Sequence, residues 1–251
     1  MTGTSPVLLV TGGSRGIGAA VSLGAARQGW AVAVNYVSSK DAAETVVAAI
    51  RDAGGEAIAV AGDVGSAGDI ESIFAAVDRH FGRLDGLVNN AGVVDVPERI
   101  DEMTPQRLDR MFRINVTGSI LCAGQAVRRM STRHGGQGGA IVNVSSMAAI
   151  LGSAGQYVDY AASKGAIDTF TLGLAREVAT EGIRVNAVRP GIIDTDIHAS
   201  GGLPDRARDL TPLIPMQRPG TADEVADAIL YLLGPSATYV TGSILNVSGG
   251  R

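Results

Sequence analysis

Tyr160 and Lys164 stand four residues apart in Tyr160-Ala161-Ala162-Ser163-Lys164. That spacing puts a phenol and an ammonium on one face of a helix. A free phenol, with a pKa of about 10, is a poor acid–base group at neutral pH, but a neighbouring cation favours the phenolate. Each unit of lowering is worth about 1.4 kcal/mol of preference for the anion. The pair can therefore work as one proton-handling unit, although the same spacing also arises on ordinary helix surfaces.

A second motif follows the first apolar run: Thr11-Gly12-Gly13-Ser14-Arg15-Gly16-Ile17-Gly18 leads into a helical pattern. Its glycines allow a tight turn, close approach of backbone to a pyrophosphate, and packing of helix on strand, while the helix N-terminus favours negative charge. The motif predicts a dinucleotide site that includes Gly12, Ser14, Arg15, Gly16, Ile17 and Gly18. The same residues satisfy G-x-S-x-G with Ser14 central, the pattern of a serine hydrolase elbow. A hydrolase would need a downstream acid and histidine, and the one late histidine is His198. The elbow would also precede any segment able to supply the second oxyanion donor.

NAD sites place a carboxylate about twenty residues beyond the glycines, on the ribose 2′-hydroxyl. Here that stretch reads Asn35-Tyr36-Val37-Ser38-Ser39-Lys40, with no acid before Asp41. Arg15 and Lys40, with Ser38 and Ser39, suit a 2′-phosphate, which asks for charge-assisted donors. NADP is thus expected over NAD, with Asn35, Tyr36, Ser38 and Lys40 at that end of the site. The competing reading makes Arg15 and Lys40 ordinary solvated charges.

Short apolar runs at Val7–Val10, Ala31–Val34, Ala57–Val60, Leu84–Val88, Ala140–Val144, Ile183–Val188 and Ile244–Val247 read as buried strands. Helical patterns lie between them at Ala19–Arg27, Ala42–Ala53, Ile70–Phe81, Pro105–Met130, Asp159–Ala179 and Ala222–Leu233. The alternation predicts an α/β fold, a Rossmann-type doubly wound parallel sheet of about seven strands with helices on both faces. One domain over 1–251 accounts for the chain, with Gly135–Gly139 as a surface loop and residues 191–220 as a substrate loop or lid.

With 45% hydrophobic and 18% charged residues, the chain has the composition for a sizeable core. A net charge of −4 gives no reason to expect nucleic acid or an anionic membrane as partner. The single Cys122 excludes an intramolecular disulfide and any multi-cysteine metal site, so a cytoplasmic protein is expected, with Cys122 buried. No apolar run is long enough for a signal or spanning segment. No metal is expected: His80 and His134 lack partners at ligand spacing, and Asp194, Asp196 and His198 alternate along an extended chain.

Taken with Asp63-Val64, Asn89-Asn90-Ala91-Gly92, Asn115, Ser145-Ser146 and Pro190-Gly191, these motifs resemble the short-chain dehydrogenase/reductase family over essentially the whole chain, in the family's order. Tyr157–Lys164 and Pro215-Met216-Gln217-Arg218 are similar to a bacterial subgroup labelled glucose 1-dehydrogenase-like or 3-oxoacyl-carrier-protein-reductase-like. The resemblance implies an NADP(H)-dependent enzyme interconverting a small alcohol and its carbonyl. In that scheme Tyr160 is general acid or base, Ser146 bonds the reacting oxygen, Lys164 binds the nicotinamide ribose and lowers the Tyr160 pKa, and Asn115 holds a relay water. Asp63 and Val64 would meet the adenine, Asn90, Ala91 and Gly92 the adenine-ribose side, Ile193 the carboxamide and Thr195 the phosphates, after Pro190-Gly191.

One departure from the family concerns the serine, usually thirteen residues before the tyrosine. Met147 occupies that position, and Ser146 lies fourteen before, which implies one extra residue within Gly152–Asp159; Ser145 is the fallback. Tyr157 is no substitute for Tyr160, because Ala161 stands four residues on. Family members form tetramers through the two long helices and the last strand. The apolar excess on Pro105–Met130 and Asp159–Ala179, including Ile167, Phe170, Leu172 and Leu174, agrees with a homotetramer. The reading from another class is a dinucleotide-binding regulatory protein without turnover, which would have no need of an activated phenol.

Overall fold

The computed structural model describes residues 5–195, 202 and 205–251, with Arg206 described in its backbone only. Asp196 and His198 lie outside the described residues. Seven strands form one parallel sheet in the order β3-β2-β1-β4-β5-β6-β7. They are β1 Val7–Val10, β2 Ala31–Tyr36, β3 Ala57–Ala61, β4 Gly86–Asn89, β5 Gly139–Val144, β6 Ile183–Pro190 and β7 Ile244–Val247. The helices are α1 Gly16–Arg27, α2 Lys40–Asp52, α3 Ala67–Phe81, α4 Pro105–Phe112, α5 Ser119–Met130, α6 Ala148–Leu151, α7 Val158–Val178, α8 Arg206–Asp209 and α9 Ala222–Leu233.

β1 is apolar and buried at every position because both faces of the sheet are covered. Along β1, Leu8 and Val10 face one core layer with Val21 and Ala25 of α1 and Val225 and Ile229 of α9. Val7 and Leu9 face the other, with Ile73 and Phe74 of α3 and Ala126 and Met130 of α5. Alternate residues thus serve opposite layers, as the two-residue period of a strand requires. Cys122 is fully buried in the second layer, and burial pushes its thiol up to about 12.

Local chemistry sets the helix ends. Ser66 caps α3 by accepting from the Asp69 N–H, and Gly82 ends it in the left-handed region. Thr104 caps α4 by accepting from the Arg107 N–H, with Pro105 in the first turn. A capping box of Thr221 and Glu224 starts α9. The single helix expected over Pro105–Met130 is instead interrupted by a π-helical turn at Arg113–Gly118, which contains Asn115. Such turns concentrate at functional sites.

The β1–β4 pair, with Val10 opposite Val88, marks where the strand order reverses. The crevice at the carboxyl ends of strands beside such a switch point is where ligands bind in open α/β sheets. The base of the 191–220 segment is stitched closed there: Ile193 bridges Gly220, the Asp194 N–H donates to the Gly220 carbonyl, and the Gly220 N–H donates to the Ile192 carbonyl. Within it, Ile192, Ala207 and Ile214 form a small core of their own, with Leu210 packed against it.

A buried ion pair clamps α4 to the first turn of α7. Arg107 Nε donates to Asp159 Oδ2 at 2.8 Å, and its Nη1 donates to the Val96 carbonyl at 2.7 Å and to Glu98 at 3.0 Å. The Asp159 side chain is wholly buried. Truncating one partner leaves the other charge buried and uncompensated. Arg107→Ala is expected to lower unfolding free energy by about 3–5 kcal/mol in urea denaturation, whereas an apolar pair replacing both residues should cost far less.

Candidate active site

The glycine turn is shaped from behind. Thr11 Oγ1 accepts the N–H groups of Asn90 (3.0 Å) and Ala91 (3.1 Å), and Asn90 Nδ2 donates to the carbonyls of Thr11 and Gly12. Gly12 has φ +60°, and a Cβ on Gly18 would lie 2.3 Å from the Gly12 carbonyl oxygen, so neither position takes a larger residue. Thr195 meets the same turn from the other side of the crevice: its Cγ2 lies 3.4 Å from where a Cβ on Gly16 would be. The turn therefore presents backbone with no side chain filling it, a cradle that suits a pyrophosphate.

The residues expected around the dinucleotide divide into two groups. Asn35 is buried and spends its amide on the fold, accepting from the Gly12 N–H and donating to the carbonyls of Val60 and Gly62. It shapes the turn from below. Asp63 Oδ1 accepts from the Gly65 N–H at 2.7 Å, which holds the loop beside the buried Val64. Ser14 and Tyr36 are half-buried, whereas Arg15, Ser38 and Lys40 are exposed. Arg15 precedes α1 and Lys40 opens α2, so the two cations sit at the N-terminal ends of helices that follow neighbouring strands.

A cavity of about 530 Å³ opens at the strand ends, and Ser146, Tyr160, Lys164, Pro190, Ile193 and Thr195 all line it. Ile17, Asn90, Gly92 and Gly191 complete the side nearest the turn. Ser146 hydrogen-bonds Tyr160. Ser145, the other serine, is buried and its hydroxyl donates to the Lys164 carbonyl at 3.2 Å. Between Ser146 and Tyr160 the chain forms α6 and turns in which Ser153 adopts φ +48°. Ser146 Oγ starts that excursion by accepting from the Ala148 N–H at 3.1 Å.

Lys164 is 5% exposed, and its ammonium donates to the Val144 carbonyl at 2.8 Å while lying 5.6 Å from the centre of the Tyr160 ring. Burial lowers its pKa to about 8, opposed by the negative charge of Asp168 one turn along α7. Burial likewise holds the Tyr160 hydroxyl above the ordinary phenol range, with the Ser146 hydrogen bond pulling the other way. Desolvation is the larger influence on the Tyr160 hydroxyl, and the Ser146 hydrogen bond opposes it. A tyrosine in this state is protonated at neutral pH and poised to donate.

Asn115 is buried beside the pair. Its Oδ1 accepts from the Val93 N–H at 2.8 Å, and its Nδ2 donates to the Val93 carbonyl at 2.9 Å and to Ser163 Oγ at 3.2 Å. A Cβ on Gly92 would sit 3.4 Å from Asn115 Oδ1 and 3.5 Å from Lys164 Nζ, so both groups converge behind that glycine. The Asn115 side chain locks the segment after β4 onto the π-helical turn.

Sequence reading missed the wall of the cavity that Val94, Met147, Leu151, Tyr157 and Leu213 line, with Ser153, Gln156 and Arg251 adding polar groups. Met147, at the family's usual serine position, is buried in that wall. Arg208 is exposed and pairs with Asp205 and Asp209, and Arg218 is exposed and pairs with Glu224. Of the apolar residues expected to be surplus on α7, Ile167 is buried and Phe170 and Leu174 pack on the core; only Leu172 is more than a third exposed. Phe112, Ile120 and Leu121 on the neighbouring helices join it at the surface.

A family model described as enoyl-(acyl carrier protein) reductase matches residues 12–251. The chain is 52% identical to an uncharacterized oxidoreductase, YgfF, of Escherichia coli, over 98% of this chain and 99% of that one. It is similar to a short-chain dehydrogenase from Burkholderia cenocepacia solved with NADP (35% identity, TM-score 0.90, 98% and 97% covered). A 3-ketoacyl-(acyl-carrier-protein) reductase from Brucella melitensis solved with NADH is similar at 32% identity, with TM-score 0.90 and 98% of each chain covered. The match of sequence along nearly the whole chain, with the sheet order and the Ser146, Tyr160 and Lys164 cluster already described, means that this chain belongs to the short-chain dehydrogenase/reductase family of oxidoreductases acting on carbonyl and alcohol groups.

Proposed function

We propose that this protein is an NADP(H)-dependent reductase of a small carbonyl compound, and the dehydrogenase of the matching alcohol, with Ser146, Tyr160 and Lys164 handling the proton. The observation that carries this reading is the convergence of those three side chains on one wall of the cavity that the glycine turn enters. When bound, NADPH supplies the hydride from its nicotinamide C4. The turn Gly12–Gly18 and Thr195 would hold its phosphates, and Arg15 with Lys40, Ser38 and Tyr36 would face the 2′-phosphate. Asp63 and Val64 would take the adenine, Asn90, Ala91 and Gly92 the adenine ribose, and Pro190, Gly191 and Ile193 the carboxamide side.

In reduction, Ser146 donates a hydrogen bond to the substrate carbonyl oxygen and Tyr160 gives that oxygen its proton, so the carbonyl becomes an alcohol and Tyr160 a phenolate. Lys164 stabilises the phenolate, and Asn115 holds the water that returns a proton from solvent. Oxidation runs the same steps backwards. The apolar side chains of Val94, Met147, Leu151 and Leu213 in the lining favour a carbonyl compound that carries an apolar substituent. The segment 191–220, pinned at its base, acts as the lid of this single cytoplasmic domain.

Assembly is part of the reading. Phe112, Ile120, Leu121 and Leu172 are exposed on α4, α5 and α7, and Tyr231, Tyr239 and Leu245 on α9 and about the edge strand β7, and we read these as two contact faces. Two separate faces suit a homotetramer. Sedimentation at micromolar concentration is expected to give four copies; a monomer would contradict it.

The experiment titrates purified protein with NADPH and NADH by fluorescence, then assays turnover on a carbonyl panel beside Tyr160→Phe. NADPH is expected to bind more tightly, Arg15→Ala and Lys40→Ala are expected to erase that preference, and Tyr160→Phe is expected to lower turnover by about 10²–10⁴. Equal binding of the two nucleotides would remove the 2′-phosphate assignment. Binding without turnover on any substrate would favour a dinucleotide-binding regulator.

A further inference from the structure

Behind Lys164 lies a second charged pair that the proton-handling scheme does not use. Asp168, one turn further along α7, accepts from Arg189 Nε at 2.9 Å and pairs with Arg189 Nη2 at 2.8 Å. Arg189 is the residue before Pro190-Gly191 on β6, the segment that lines the cavity opposite Lys164. Both side chains are largely buried, at 9% and 17% exposure. Asp168 Oδ1 is a buried atom with no hydrogen-bond partner among the described residues.

A buried carboxylate with an unsatisfied oxygen is a poor way to hold a helix on a strand, because an apolar pair of similar volume would do so at lower cost. Its position offers a reason. Residues i and i+4 share a helix face, so Asp168 stands on the face that carries Lys164. The other elements packed around the ammonium are uncharged at the contact: the Val144 carbonyl from β5, Asn115 from the π-helical turn and Gly92 from the segment after β4. On α7 itself the neighbours are Tyr160 and Asp168, and from β6 the charge is that of Arg189, already paired with Asp168.

We propose that Asp168 and Arg189 are a positioning pair for Lys164, fixing its turn of α7 to the Pro190-Gly191 end of β6 and placing a carboxylate on the helix face that carries its ammonium. The inference rests on the reductase reading for its consequence in turnover, but not for its physical test. Asp168 opposes the effect of burial on Lys164, so removing it makes the ammonium easier to deprotonate.

The sequence makes this directly measurable, because its only lysines are Lys40 and Lys164. Protein labelled with ¹³C at the lysine ε-carbon shows two titrating signals, and Lys40→Arg assigns the one from Lys164. In the otherwise unaltered protein that signal is expected to titrate near pH 8. With Asp168→Asn its midpoint is expected at lower pH, and Asp168→Glu is expected to restore it. The double variant Asp168→Asn/Arg189→Gln leaves no charge unpaired and serves if the single variant does not fold; it too should titrate below the parent. A Lys164 midpoint that stays in place in the folded variants would overturn the proposal and leave the pair a scaffold contact. The high-pH limb of carbonyl reduction should move with the same sign, and absence of any turnover would count against the reductase reading alone.

Discussion

A lysine ammonium buried to 5% exposure has to find oxygen to replace water, and here it finds the Val144 carbonyl at the end of a central strand. That hydrogen bond ties the middle of α7 to the sheet edge where the cavity begins. The lowered pKa, from 10.5 to about 8, means that holding the charged form costs about 3 kcal/mol of folding stability at neutral pH. The unfolded chain binds the extra proton between pH 8 and 10.5, so this cost is present in full below pH 8 and fades as pH rises through that window. The surroundings are arranged around this cost: Ser145 secures the Lys164 carbonyl, Asn115 fixes the opposite wall, and Arg107 with Asp159 anchors the first turn of the helix.

The second organising feature is the place where strand order reverses. Thr11 and Asn90 exchange hydrogen bonds across the β1–β4 seam, so the glycine turn and the segment leading to Gly92 are built as one unit. That unit faces Thr195 and Ile193 across the crevice. The backbone cradle and the Ser146, Tyr160 and Lys164 side chains border the same crevice.

Much of this was legible in the residues because buried parallel strands leave a continuous apolar signature. The runs at Val7–Val10 and Ile183–Val188 fall on β1 and β6 for that reason, and the turn glycines announce themselves by spacing. What periodicity does not report is pairing across long stretches of chain. Arg107 meets Asp159 across 52 residues and Asp168 meets Arg189 across 21, and nothing local marks either pair. The buried hydrogen-bond chain from Asn89 to Asn143 in the sheet and on to the Thr171 hydroxyl of α7 is invisible for the same cause. The π-helical turn at Asn115 escaped because it preserves the helical look of the sequence while shifting its register. Asn35 illustrates the converse: a polar residue in the expected cofactor stretch proves to be turned inward, where its amide braces the glycine turn.

The central claim is that this cavity brings a carbonyl carbon to the nicotinamide and Tyr160 to the carbonyl oxygen. Reduction with NADPH carrying deuterium at both C4 positions tests both halves at once, when the product alcohol is analysed by mass spectrometry in ordinary water. One deuterium on the carbinol carbon, with the hydroxyl proton drawn from solvent and the transfer lost in Tyr160→Phe, is the predicted result. Product without deuterium, or transfer undiminished in Tyr160→Phe, would contradict the account.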